Sequence, residues 1–318
     1  MVRARAEAAN DLIFGSAAFL CTLDLGSASG FHTLLGAFMT GSPYLIPGTP
    51  DVNVSLITRH RVSAIKASPV QIQLLLDAAL RVGVTLSSLE VINSAGSVVP
   101  LSLRNAVRGQ TKARLVNLFG SSEVGRAAEH ILDDNDVSFA GVVVAGTDLE
   151  IVDEQDAPLA LGQPGRVRYR RAHQALEYFN NPGATAAAFK DGWFYTGDIG
   201  RLEEGGRLYL VGRTSDVINA GGVKVNPAEA DQVALAVTGV ADAAGFAHVS
   251  DEGVTEFGMA LVLDDGADVN AVIAELRRQL GSLAPTVLFT VPAISRNAAG
   301  KIVRSEVAAA YKQALGRA

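Results

Sequence analysis

Four short segments of this chain carry side chains that can bind or activate a ligand, and they lie far apart in the sequence. Their positions are 117–123 (Asn-Leu-Phe-Gly-Ser-Ser-Glu), 192–198 (Gly-Trp-Phe-Tyr-Thr-Gly-Asp), 212–213 (Gly-Arg) and 296–301 (Arg-Asn-Ala-Ala-Gly-Lys). In the first segment, an aromatic face can stack on a base, a hydroxyl can contact a phosphate and a carboxylate can hold magnesium. Taken singly, each segment also suits an ordinary turn, a helix cap or an exposed surface.

The second and third segments supply a carboxylate and a guanidinium that can grip a sugar. Asp198 follows a predicted glycine turn, a geometry suited to accepting hydrogen bonds from both hydroxyls of a ribose. Arg213 ends the hairpin predicted after Asp198 and can add donors from its rigid planar fork. Upstream, the small residues at 94–97 follow a predicted strand, where the backbone can approach a flat ligand closely.

The order and spacing of these segments resemble those of the adenylate-forming superfamily, which contains acyl-CoA synthetases, aryl-CoA ligases, adenylation domains and luciferases. The resemblance covers nearly the whole chain, but only the later part of a family member. It implies that a carboxylic acid attacks the α-phosphate of ATP to give acyl-AMP and pyrophosphate, after which a thiol takes the acyl group. The implied cofactors are ATP/AMP, Mg²⁺ and coenzyme A or the pantetheine of a carrier protein.

The resemblance also implies a role for each matching position. Lys301 is the implied catalytic cation, which stabilises the charge that develops as pyrophosphate leaves. Glu123 is the implied catalytic carboxylate and metal ligand. Gly221 and Gly222 would line the tunnel for the thiol, and Ser215 would be the hinge of a mobile lid domain, where relatives usually carry Asp or Lys. The implied nucleotide-binding positions are Gly96, Ser97, Phe119, Gly120, Ser122, Asp198, Arg213 and Lys224.

One element of the family has no counterpart in the sequence. The Ser/Thr/Gly-rich loop that positions the β- and γ-phosphates should lie before residue 12, and residues 1–10 contain no such pattern. Three situations fit: a fragment of a longer enzyme, a subunit of a split enzyme, or a non-catalytic relic that binds AMP or a partner. A truncated large domain would leave apolar surface uncovered, so we expect a homo-oligomer or a complementing N-terminal polypeptide.

Composition excludes several other classes of protein. With 318 residues, 48% hydrophobic and 19% charged, the chain is long enough for about two globular domains. A net charge of -6 without a Lys/Arg cluster argues against nucleic-acid binding. The single cysteine, Cys21, allows neither an internal disulfide nor a multi-cysteine metal site. Since no apolar run approaches the ~20 residues of a membrane span, we expect a soluble, cytoplasmic protein.

The pattern of apolar residues predicts an α/β fold in three parts. From residue 12 to about 130, apolar runs alternate with helical patterns, as in a layered α/β domain. Between 137 and 212, short β-type runs separated by Gly, Pro and Asp predict a β-rich subdomain, with a hairpin turn at 204–206. The expected domains are a partial AMP-binding large domain at 1–212 and a small α/β C-terminal lid domain at 213–318.

Overall fold

A computed structural model describes residues 18–133, 136, 138–220, 222–250, 253–297 and 300–316. The chain forms two compact units. The first contains the described residues up to Gln163, together with Val167–Thr196 and Leu202–Tyr209. The second contains Pro164–Arg166, Gly197–Arg201 and the described residues from Leu210 onward. The domain boundary expected between residues 212 and 213 stays a prediction.

The described residues form helices and strands throughout both units. The helices are α1 (Ala28–Thr40), α2 (Pro50–His60), α3 (Pro69–Arg81), α4 (Leu101–Gln110), α5 (Pro182–Ala188), α6 (Pro227–Leu235), α7 (Val269–Leu280) and α8 (Arg304–Ala314). The strands are β1 (Phe19–Cys21), β2 (Tyr44–Leu45), β3 (Ala64–Ala67), β4 (Val91–Ala95), β5 (Arg114–Ser121), β6 (Gly125–Ile131), β7 (Phe139–Val143), β8 (Thr147–Val152), β9 (Gly165–Arg171), β10 (Phe189–Lys190), β11 (Trp193–Glu203), β12 (Arg207–Arg213), β13 (Ile218–Ala220), β14 (Val223–Val225), β15 (Val240–Val249), β16 (Thr255–Leu263) and β17 (Val287–Thr290). Among these, no helix is both long and apolar enough to cross a lipid bilayer.

Parallel strands form the first part of the main sheet. The strand order is β2-β1-β3-β4-β5-β6-β7-β12-β11-β9-β8, and β10 pairs with β11. Strands β2, β1, β3, β4 and β5 run parallel, and the pairs β5–β6, β6–β7 and β7–β12 are antiparallel. Strands β1 and β3 are buried along their whole length, because a parallel sheet is covered on both faces. The side chains of both strands therefore belong to the core of the first unit.

Local sequence signals fix where helix α3 begins. The Ser68 hydroxyl accepts a hydrogen bond from the Gln71 amide at 3.3 Å, and the Gln71 side chain accepts one from the Ser68 amide at 2.9 Å. Pro69 occupies the first turn, where its fixed φ suits a helix and its missing N–H costs nothing. This capping box starts the helix immediately after β3 and lets its apolar face pack on the sheet.

The second unit has its own sheet and core. Strands β15 and β16 pair antiparallel, and β17 runs parallel to β16. One side of this sheet packs against α6 and α7 through Ala234, Met259, Leu261 and Leu276. The α/β fold class that the sequence predicts is confirmed.

Candidate functional site

In the first unit, the loop after β4 lies beside the end of β5. The parallel pairing of these strands sets Ala95 opposite Leu118, so Gly96 and Ser97 leave the sheet next to Phe119. Gly96 has a φ of 105°, a conformation that favours glycine. The Phe119 ring is half-buried and packs against a small core cluster. The structure brings together these nucleotide-binding candidates, and the stacking role of Phe119 stays a prediction.

Ser122 and Glu123 lie in the turn of an antiparallel hairpin. Strand β5 ends at Ser121, which pairs with Gly125 at the start of β6. The Val124 amide donates to the Ser121 hydroxyl at 3.2 Å and tightens this turn. The alternative interpretation of Ser-Ser-Glu as a helix cap is therefore wrong, because a strand follows the turn. Ser122 is exposed and Glu123 is half-buried.

Glu123 is held by the segment that precedes helix α5. The Tyr178 hydroxyl donates to Glu123 Oε1 at 2.6 Å, and the Ala175 amide donates to the Glu123 carbonyl at 2.7 Å. Burial, reinforced by the bond to Glu123, raises the pKa of Tyr178 to about 12. Tyr178 therefore keeps its proton at neutral pH and acts as the donor. Sequence reasoning missed Tyr178, which lies 55 residues from Glu123.

The Glu123 carboxylate fits a magnesium ion that arrives with a nucleotide. Within the described residues, its second oxygen, Oε2, forms no hydrogen bond, and no group of three or more His, Cys, Asp or Glu side chains could hold a metal. Mg²⁺ in proteins is usually bound by one or two carboxylates, with substrate phosphates and water completing its octahedron. The donor set therefore suits a metal shared with phosphate rather than one caged by protein.

Gly120 has no room for a side chain. A Cβ built on it would collide with the carbonyl oxygen of Gly125 and lie 2.8 Å from the Cα of Arg126, both backbone atoms of the paired strand. We expect Gly120→Ala to lower the free energy of unfolding by about 1–3 kcal/mol, as overpacked sites do. Gly109→Ala, in α4 with nothing within 4 Å of the new Cβ, is the matched control. Urea denaturation measures the free energy of unfolding. Equal values for the two variants would contradict this prediction.

In the second unit, Asp198 and Arg213 form an ion pair. Arg213 Nε donates to Asp198 Oδ1 at 2.9 Å, and the Asp198 side chain is 14% exposed. The carboxylate does not follow a turn as expected. Gly197, with a φ of 75°, instead bends strand β11 just before Asp198. Thr214 follows Arg213 directly, and its hydroxyl donates to the Gly197 carbonyl at 3.0 Å. This hydrogen bond connects the bend in β11 to the end of β12.

Gly212 is required by a side chain that sequence reasoning missed. Asn226 Nδ2 donates to the Val211 carbonyl at 2.7 Å, and its Oδ1 accepts from the Ala228 amide at 3.2 Å at the start of α6. A Cβ on Gly212 would lie 2.6 Å from the amide carbon of Asn226. The Gly-Arg dipeptide therefore belongs to a packed joint between β12 and α6.

The hinge candidate Ser215 and the thiol-tunnel candidate Gly222 lie on exposed turns. Ser215 is exposed in the 3₁₀ turn Thr214–Asp216, and its hydroxyl donates to Asp216 Oδ1 at 2.9 Å. Gly222, with a φ of 93°, follows β13, and its amide donates to Asn219 Oδ1 at 3.0 Å. Lys224 is exposed on β14. Gly221 lies outside the described residues.

The loop of Lys301 is fixed by its neighbours while the lysine itself is exposed. Arg296 Nη2 donates to both carboxylate oxygens of Asp242, at 2.8 and 2.9 Å, and Nη1 donates to the Gly300 carbonyl at 3.0 Å. The Asn297 amide donates to the Lys301 carbonyl at 2.9 Å, and the Lys301 amide donates to Asn297 Oδ1 at 3.0 Å. The backbone of Lys301 is thus held at both its amide and its carbonyl.

Arg304, whose side chain is 16% exposed, joins four elements next to this loop. Arg304 donates to Asp231 Oδ2 at 2.8 Å, to Asp216 Oδ2 at 3.2 Å and to the Gly245 carbonyl at 2.6 Å. Burial raises the pKa of Asp231, and the positive charge of Arg304 opposes that rise. Arg304 therefore ties the turn of Ser215 to α6, β15 and the start of α8. Local sequence patterns do not reveal it.

Comparison with known proteins identifies the family. Residues 2–179, more than half of the chain, match the AMP-binding enzyme family. A naphthoate–CoA ligase of Streptomyces carzinostaticus (2-hydroxy-7-methoxy-5-methyl-1-naphthoate) is 30% identical over 308 residues, covering 92% of this chain and 55% of the relative. The fatty acid–[acyl-carrier-protein] ligase MmaC of Mycobacterium marinum is 27% identical, covering 89% of this chain and 58% of the relative.

Solved structures show the same fold. The amide bond synthetase McbA of Marinactinospora thermotolerans superimposes with a TM-score of 0.85 at 26% identity, covering 97% of this chain and 65% of McbA. O-succinylbenzoate coenzyme A synthetase of Bacillus subtilis, solved with ATP and magnesium, gives a TM-score of 0.79 at 24% identity. The superposition covers 96% of this chain and 64% of the synthetase. This chain spans about half the length of the curated relatives it matches. It belongs to the AMP-binding enzyme family, within the adenylate-forming, acyl-CoA synthetase-like superfamily that its motifs predicted.

Proposed function

We propose that this chain is part of an ATP-dependent acid–thiol ligase, which converts a carboxylic acid to acyl-AMP and then transfers the acyl group to CoA. The observation that carries the proposal is the Lys301 loop, which presents an exposed cation on a backbone held at both ends by Asn297. A cation whose backbone is already positioned loses less freedom when its side chain meets a phosphate, where it stabilises developing charge. Both curated relatives named above are ligases, which favours an enzyme over a non-catalytic AMP-binding relic.

The chain's own residues divide the proposed work between binding and catalysis. Asp198, oriented by Arg213, would accept hydrogen bonds from the ribose hydroxyls. Phe119 and the loop at Gly96 and Ser97 would border the base, and Gly120 and Ser122 would approach the phosphate. Lys301 would contact the α-phosphate and the attacking carboxylate. Magnesium, held by Glu123, would neutralise phosphate charge.

The remaining assignments concern the acceptor, the lid and the location. We propose CoA as the acceptor, with Gly221 and Gly222 along its path, because the Streptomyces relative is a CoA ligase, whereas MmaC is a ligase for an acyl-carrier protein. We propose Ser215 as the hinge of a lid at 213–318, with Lys224 supporting the adenylating position. A cytoplasmic location fits the substrates and the single cysteine, Cys21, which allows no internal disulfide.

We also propose that helix α1 contacts a partner polypeptide or a second copy of this chain. Helix α1 exposes Phe38 at 74% and Phe31 at 49%, apolar surface that a partner or a second copy could cover. A monodisperse monomer in light scattering, with full activity, would count against this proposal.

Two half-reactions test the proposed function separately. The first is pyrophosphate release from MgATP with a panel of fatty, aryl and short-chain acids, and we expect release that depends on the acid. The second supplies synthetic acyl-AMP and CoA and measures the thioester, so that it needs no grip on the β- and γ-phosphates. If the folded chain binds AMP but performs neither half-reaction, the ligase proposal fails and a nucleotide-binding protein remains.

A further inference from the structure

The Tyr178–Glu123 hydrogen bond constrains Oε1, while Oε2 has no hydrogen-bond partner in the part of the chain that the structure describes. The 2.6 Å separation between the Tyr178 hydroxyl and Glu123 Oε1 is typical of a short, charge-assisted bond. A carboxylate can otherwise rotate about its last side-chain torsion, which has broad preferences. With Oε1 held, the direction in which Oε2 points is set by the position of Tyr178.

Tyr178 is itself fixed by its surroundings. Its amide donates to the Thr185 hydroxyl at 2.9 Å, and the Thr185 hydroxyl donates to the Asn181 carbonyl at 2.8 Å. Its ring packs edge-to-face on Phe189, with ring centroids 5.4 Å apart. The bond from the Ala175 amide to the Glu123 carbonyl, at 2.7 Å, also ties the tyrosine-bearing segment to the hairpin turn. The hydroxyl therefore acts from a rigid support.

We infer that Tyr178 is a positioning residue, which holds Glu123 so that Oε2 faces the magnesium ion of a bound nucleotide. The inference rests on the proposed role of Glu123 as metal ligand. Carboxylates that bind metals are themselves usually hydrogen-bonded, and removal of such an outer partner typically weakens metal affinity 10–100-fold. Because Tyr178 donates through a neutral hydroxyl, it orients the carboxylate without cancelling the charge that attracts the metal.

The test measures binding of Mn²⁺, a spectroscopic substitute for Mg²⁺, to the protein with ATP by electron paramagnetic resonance. Tyr178→Phe removes the hydroxyl and keeps the ring against Phe189, and we expect about 10–100-fold weaker Mn²⁺ affinity. Tyr195→Phe is the matched control, since that hydroxyl bonds to Asp156 at 2.8 Å and accepts from Arg168 at 3.0 Å. We expect it to leave metal affinity unchanged, and AMP affinity without metal to be equal in all variants.

A double-mutant cycle separates positioning from general damage to the site. Glu123→Gln removes the charge, and Tyr178→Phe added to it should weaken Mn²⁺ binding no further. Unchanged Mn²⁺ affinity in Tyr178→Phe would overturn the inference. The same holds if Tyr178→Phe lowers the Mn²⁺ affinity equally in the unaltered chain and in Glu123→Gln. The inference also fails if the unaltered chain with ATP binds Mn²⁺ no more tightly than ATP alone does. Failure of pyrophosphate release would instead count against the proposed function, because the metal measurement needs no turnover.

Discussion

Replacement of Lys301 with alanine is expected to slow acyl-AMP formation by about 10²–10³-fold, the cost of removing one preorganised group that stabilises transition-state charge. The structure supports a large effect because the backbone around Lys301 is bonded at Asn297 and the loop is anchored by the Arg296–Asp242 ion pair. The backbone of Lys301 therefore needs no reordering, and only its flexible side chain must become ordered when it meets a phosphate. Acid-dependent pyrophosphate release measures the effect.

The control for Lys301→Ala is Lys312→Ala, since Lys312 is exposed on α8 in the same unit. We expect the control to keep its rate and both variants to keep their AMP affinity and folding. If the Lys301 variant forms acyl-AMP as fast as the unaltered chain, Lys301 has no catalytic role. Equal losses in both variants would point to a general charge effect rather than to this position.

Replacement of Arg304 with methionine is expected to lower the free energy of unfolding of the second unit by about 3–5 kcal/mol, as for other broken buried ion pairs. The Asp231 side chain is only 8% exposed and would lose its cation, while Asp216 and the Gly245 carbonyl would lose a donor. Amide hydrogen exchange in β15 and β16 measures the change locally. That readout suits a chain of two compact units.

Two further variants show whether burial causes this loss. Arg278→Met breaks an ion pair with Glu275 whose arginine is 68% exposed, and we expect no measurable change in exchange. Asp231→Leu combined with Arg304→Met removes both charges and should recover part of the loss, because no unpaired charge remains in the core. If Arg304→Met alone leaves amide exchange in β15 and β16 unaltered, the contacts of Arg304 contribute nothing to stability.

The positions of most elements follow from the sequence because their signals are local. The apolar run at 64–67 and the capping box at Ser68 place β3 and α3, and the glycine pair in 204–206 places the turn between β11 and β12. The Ser-Ser-Glu segment misleads because the same residues suit a helix cap and a hairpin turn. The antiparallel pairing of β5 with β6 decides between them.

The sequence by itself determined the family, the α/β class and the chain positions of Glu123, Asp198 and Lys301, since these depend on residue type and spacing along the chain. Only the tertiary structure revealed which side chains hold them. Tyr178 lies 55 residues from Glu123, and Arg296 lies 54 residues from Asp242. Periodicity tells which face of an element is buried. Contacts between distant segments depend instead on strand register and packing, which no local pattern encodes.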